Sequence, residues 1–180
     1  MKFARSCILA LAALSPALFP SSSLAAQHES HNDSATATLV ETVRQATAPF
    51  RDPRNVPPGY GAALGCISGP EAGAMGVHFV NAELLLNAEL VPTQPEALIY
   101  EFKNGTARLV GVEFIVFFDV WHETHALNDP PILDGQLLHF VESPNRFGLP
   151  AHYELHVWAW RDNPNGAFVD WNPRVSCDRP

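Results

Sequence analysis

The dipeptide Asn104-Gly105, set between two apolar runs, constrains this chain more than any other feature. Asn-Gly favours the type I′ turn, whose backbone twist matches that of a two-residue β-hairpin. Over residues 97–118 it predicts an antiparallel pair in which Lys103 faces Thr106, Glu101 faces Arg108, Ile99 faces Val110 and Ala97 faces Val112. Side chains alternate between the faces of a strand, so this register separates two glutamates. Glu101 lies opposite Arg108 and is expected to form a cross-strand ion pair. Glu113 is expected on the other face, with Leu98, Tyr100, Leu109, Ile115 and Phe117. A carboxylate in that apolar company is costly unless something pairs with it, which makes Glu113 a candidate site residue.

A second alternating stretch, His152-Tyr153-Glu154-Leu155-His156-Val157-Trp158-Ala159-Trp160, reads as one strand. One face carries His152, Glu154, His156, Trp158 and Trp160, and the other carries Tyr153, Leu155, Val157 and Ala159. On a one-sided antiparallel sheet the polar face would ordinarily meet solvent. Two exposed indoles beside it would make an apolar patch, which argues instead for the lining of a pocket. Along an extended strand His152 and His156 stand about 13 Å apart, wide for two ligands of one ion, whereas His156 and Glu154 are about 6.6 Å apart.

His78, in the short strand Val77-His78-Phe79-Val80, would alone be an ordinary core histidine, and it becomes a ligand only if others converge on it. The metal candidates are therefore His78, Glu113, His152, Glu154 and His156, with Trp158 and Trp160 as pocket wall. Such a histidine–carboxylate set suits zinc, iron(II) or copper(II), and poverty in free sulfur disfavours copper(I). A second arrangement has Glu154 or Glu113 orienting a histidine instead of binding the ion. His122 and His125 have HxxH spacing in a proline-closed loop that fixes neither. His28 and His31 fall in a polar stretch that ordinarily just solvates.

Residues 1–25 read as a secretory signal peptide, with a basic start, an apolar run from Cys7 to Phe19 and a Ser23-Leu24-Ala25 cleavage site. The run is too short and proline-interrupted to span a membrane, and Cys7 is not placed as a lipid anchor. Residues 26–33 read as a flexible tail and 34–180 as one domain, secreted or periplasmic. Removing Cys7 leaves Cys66 and Cys177, an even pair in an oxidising compartment, expected to form a disulfide.

The net charge of −8 and the lack of a basic patch argue against nucleic acid or an anionic membrane as partner. From Ser34, a candidate N-cap, to Ala48 the spacing of Leu39, Val43 and Ala46 predicts an amphipathic helix, stopped by Pro49. Residues 51–76 are rich in proline and glycine and predict an ordered loop; Gln136–Val141 predicts one further strand. The fold class is α+β, with the N-terminal helix packed on a curved antiparallel or barrel-like β-sheet.

Several phrases, among them Gly73-Ala-Met-Gly-Val-His-Phe-Val-Asn81, Leu109-Val-Gly-Val-Glu-Phe114, Tyr153-Glu-Leu-His-Val-Trp-Ala-Trp160, Asn163-Pro-Asn-Gly166 and Asp170-Trp-Asn-Pro173, resemble a family of secreted conserved hypothetical proteins. The resemblance covers nearly all of the mature chain. It implies that His78, Glu113, Glu154 and His156 belong to the family's shared phrases, and it implies no activity.

Ser68 and Ser143 sit in no nucleophile elbow, and phosphate-binding and dinucleotide motifs are absent, so no nucleotide cofactor is expected. Glu113 with Glu154 as a glycosidase-like acid/base pair is weaker, because two carboxylates on different strands are easily found. Two classes stay open. One is an exported protein that binds a divalent transition metal or a small molecule in this pocket. The other is a metal-dependent enzyme, a hydrolase or oxygenase, using the same residues.

Overall fold

The computed structural model describes residues 23–69 and 71–177, and for residues 23–33 the backbone alone. The signal-peptide reading falls mostly on residues 1–22, outside the described residues. The chain is α+β, with helix α1 (Ser23–Thr47) followed by two 3-10 turns, Ala48–Arg51 and Pro53–Asn55. Strands β1 (Tyr60–Gly69) and β2 (Gly73–Asn81), the short helix α2 (Ala82–Leu85), and strands β3 (Ala97–Lys103) and β4 (Thr106–Phe117) come next. Helix α3 (Phe118–His122), the small strands β5 (Ile132–Leu133), β6 (Gln136–Leu137) and β7 (His139–Val141), and finally β8 (His152–Val157) complete it. Six strands form one antiparallel sheet in the order β1-β2-β3-β4-β8-β7, curled into a half-barrel, while β5 and β6 pair separately.

The outer face of the sheet carries the larger core, in which Leu98, Tyr100, Leu109, Val112, Phe114, Leu155 and Val157 pack with Leu39 and Val43 of α1. The inner face carries a smaller core of Ala74, Ile99, Val110, Trp158 and Val175 and a row of ionisable side chains beside it. Both faces of β8 are therefore buried, and its polar side faces protein instead of solvent.

The Asn104-Gly105 turn forms, with φ of 50° and 72°, and the expected register holds from Lys103↔Thr106 to Glu101↔Arg108. It then breaks. Tyr100 pairs with Leu109 but Ile99 pairs with Gly111, so Val110 is an extra residue in β4, a β-bulge. The bulge turns the Val110 carbonyl to accept the N–H groups of Trp160 and Arg161 at 3.1 and 2.9 Å. It also reverses the parity of everything beyond it. Glu113 now pairs with Ala97 and shares a face with Ile99 and Glu101, opposite Leu98, Tyr100 and Leu109. At Gly111 a Cβ would come within 2.8 Å of the Val157 carbonyl oxygen, so the close approach of β4 and β8 here requires glycine.

The expected loop over residues 51–76 contains a strand, β1. It is mostly exposed at the sheet edge, is broken by a shift between Ala63 and Ile67, and so lacks the alternation that announces a strand. The single strand expected over 136–141 is divided into β6 and β7, because the buried Leu138 between them turns its N–H to the Pro131 carbonyl.

After β8 the chain doubles back across the inner face as a strap that ends at Cys177, disulfide-bonded to Cys66 of β1. An isolated bridge between Ala74 and Asn172 ties the strap to β2. Gly73, at φ 94°, makes room for it: a Cβ there would lie 2.2 Å from the Asn172 oxygen. Across the mouth of the half-barrel Arg146 donates to the Ser68 carbonyl at 3.1 Å, joining the β7–β8 connection to β1.

Candidate metal centre

Curling brings to one place residues that the strands set far apart. Register pairs Glu113 of β4 with His156 of β8, and His78 of β2 lies across β3 on the same face. All three are buried, at 4% exposure for His78, 6% for Glu113 and 1% for His156. Nε2 of His78 stands 3.5 Å from one Glu113 oxygen, and Nε2 of His156 stands 3.9 Å from the other. The two imidazoles meet edge to face, with centroids 5.7 Å apart. One donor atom from each of the three lies within 4.8 Å of the others.

Neither ring nitrogen of His156, nor Nδ1 of His78, has a hydrogen-bond partner. Buried polar atoms are nearly always paired, so three such atoms in one cluster call for an explanation.

His152 is placed differently. Its Nδ1–H donates to the Pro150 carbonyl at 2.8 Å and its Nε2 contacts Glu154 at 3.1 Å. Burial pulls its pKa down, but those two contacts outweigh it and hold it above the usual histidine value. His152 is thus a histidine already spoken for, an ion-pair partner of Glu154, not a member of the three-residue group.

Of the two tryptophans, Trp158 stacks on His156 with centroids 6.0 Å apart and donates to the Val169 carbonyl at 2.6 Å. Trp160 lies on the outer face, against the helix-side core, and donates to Thr47 Oγ1 at 3.0 Å. The strand ends at Val157 and the backbone turns before Trp160, so the alternation read across the whole stretch stops short. Glu101 also departs from expectation. It keeps its register with Arg108 but binds Arg161 at 2.6 Å and the N–H and hydroxyl of Ser176 at 3.0 and 3.3 Å. His122 is held by the His125 carbonyl and the Tyr153 hydroxyl, and His125 stacks on Trp121, so both are occupied locally.

One residue of the cluster was not among the candidates read from the sequence, although its phrase Asp170-Trp-Asn-Pro173 was noted. Asp170, on the strap, places Oδ1 3.6 Å from Nδ1 of His156 and 3.6 Å from Nδ1 of His139. Glu154, His156 and Asp170 form a second group with donor atoms within 4.8 Å. Only the position of Asp170 beside Trp171 in a turn-rich tail was legible, and nothing local aims its carboxylate.

The electrostatics follow from burial among few charges. Burial pushes Glu113 up to about 8, His156 pulls it back, and the neighbouring Glu154 raises it further, so its protonated form is favoured. Burial alone would lower His156, but Glu113, Asp170 and Glu154 outweigh it and bring it to about 9. Burial, with His156 adding to it, takes His78 down to about 3 and keeps it neutral. A cavity of about 150 Å³ lies against His78 and Glu113, lined also by Ile67, Val80, Ile115, Phe117, Leu149, His152 and Glu154. His156 does not line it.

Comparison with known protein families, curated proteins and solved structures finds no match to this chain.

Proposed function

We propose that this is an exported protein that holds a divalent transition metal ion on His78, Glu113 and His156, under a small apolar cavity. The observation that carries the reading is the convergence on Glu113 of two buried histidines with unpartnered ring nitrogens. Metal–ligand bonds of about 2.0–2.2 Å put neighbouring donors about 3.3 Å apart around a tetrahedral ion, and the observed 3.5 and 3.9 Å need little contraction. Zinc, iron(II) and copper(II) all accept this nitrogen–oxygen set.

The disulfide between Cys66 and Cys177 supports an oxidising compartment and hence export, with the leader removed near Ala26. Burial of Leu39 and Val43 supports the amphipathic helix as the cover of the outer face.

A metal-dependent hydrolase or oxygenase using the same pocket is favoured by one further observation. The cavity gives a small molecule access to the His78–Glu113 side, with Glu154 in its lining as an acid or base. Expression in a periplasm, purification without chelator or affinity tag, and elemental analysis test the shared premise. Bound transition metal lost in His156→Ala is the expected result. Absence of metal, with no uptake on titration, sinks the reading.

A further inference from the structure

We propose that the centre takes two metal ions, bridged by His156. The first ion sits on Nε2 of His156 with His78 and Glu113. The second sits on Nδ1 with Asp170 and Glu154, beside His139. The inference rests on the metal reading above and extends it to the opposite edge of the same imidazole.

Both ring nitrogens of His156 are buried and unpartnered, and each faces a different carboxylate, Glu113 at 3.9 Å and Asp170 at 3.6 Å. An imidazole oriented by a carboxylate behind it would donate a hydrogen bond of about 2.7–2.9 Å. Asp170 stands well outside that distance, and its Oδ1 is itself a buried oxygen without a hydrogen-bond partner. The 3.6 Å from Oδ1 to His139, like the 3.6 Å to His156, suits donors sharing an ion at about 3.3 Å spacing better than a hydrogen bond. The two groups of three potential ligands have only His156 in common. The apolar cavity reaches the first half and is lined by Glu154 of the second, and His139 beside the second half has a side chain 58% exposed. Glu154 is already the register partner of His139, so no strand has to move to assemble the second half. Bridging requires His156 as imidazolate. Its ring protons pass to solvent as the two dications bind.

The test is titration of chelator-stripped full-length mature protein with zinc, read by calorimetry and by metal content after desalting. Two equivalents are expected in the wild type, one in Asp170→Asn, one in His78→Ala and none in His156→Ala. A copper(II)-loaded sample gives a second readout that needs no variant. Coupling between two bridged ions should lower the electron paramagnetic resonance intensity below that of the copper present, and Asp170→Asn should restore one isolated signal. One equivalent in the wild type, with an uncoupled copper signal, would overturn the bridge and leave the single-ion reading standing. One equivalent whose affinity falls about tenfold in Asp170→Asn would overturn it too, and make Asp170 an orienting carboxylate. No metal at all would overturn both.

Discussion

Glu101 and Glu113 leave the same hairpin on the same face of the sheet, exposed by 2% and 6%, and meet opposite environments. Glu101 finds a guanidinium, a backbone N–H and a hydroxyl, all delivered by the strap that Cys177 fastens to β1. Glu113 finds only imidazoles and another carboxyl, and keeps a proton. A buried carboxylate surrounded by donors belongs to the fold. One set among imidazoles and a second carboxyl is where a cation could be held.

Replacing each acid by its amide sharpens this contrast most. Glu101→Gln removes the charge that Arg161 needs; breaking such a pair costs about 3–5 kcal/mol, and the lower end applies because the Arg161 side chain is 35% exposed. Glu113→Gln, in chelator, should stay within about 1 kcal/mol of the wild type, since the group it replaces is already protonated. Urea denaturation of both variants measures the difference. Equal costs would erase the distinction.

Glu96 offers an intermediate case, with one oxygen accepting from the Ile115 N–H at 3.2 Å and the other unpartnered. Burial raises its pKa from 4.5 to about 8 despite the backbone bonds that lower it. The folded state therefore holds this proton longer than the unfolded chain does. Stability from this group is complete below pH 4.5 and is lost as pH rises towards about 8. Glu96→Gln should remove that loss, so its stability relative to wild type rises by about 1 kcal/mol or more between pH 5 and pH 8.5. A pH-independent difference between the two proteins would show that Glu96 is not a buried acid.

The smallest effect separates the tryptophans. Trp160→Phe loses one hydrogen bond to Thr47, about 1 kcal/mol, and should leave metal content unchanged. Trp158→Phe removes the shorter of two hydrogen bonds to the Val169 carbonyl next to Asp170, leaving that from Asn163 Nδ2, and should weaken metal binding. Loss of metal in Trp160→Phe would mean that the outer face takes part in the site.

Much of the framework was legible. Asn104-Gly105 marked the hairpin, and the cysteine count marked the disulfide between Cys66 and Cys177. Extrapolating the hairpin register failed at Val110, because a bulge is demanded by what docks on the far side of the strand, here the N–H groups of Trp160 and Arg161. Strand β1 was missed because an edge strand with exposed alanines and glycines has no apolar alternation to read. Asp170 was missed because a carboxylate in a turn-rich tail acquires meaning only from what lies across from it.

By itself the sequence determined that His152, Glu154 and His156 share a face, because the two-residue period of a strand is a local property of the backbone. Only the tertiary structure decided their separate states. Pro150 and Glu154, close in sequence, occupy His152, whereas the groups facing His156 come from β2, β4 and the strap. Partners brought together by closing long loops leave no periodic trace in the chain, so whether a buried histidine is paired or open is settled only by folding.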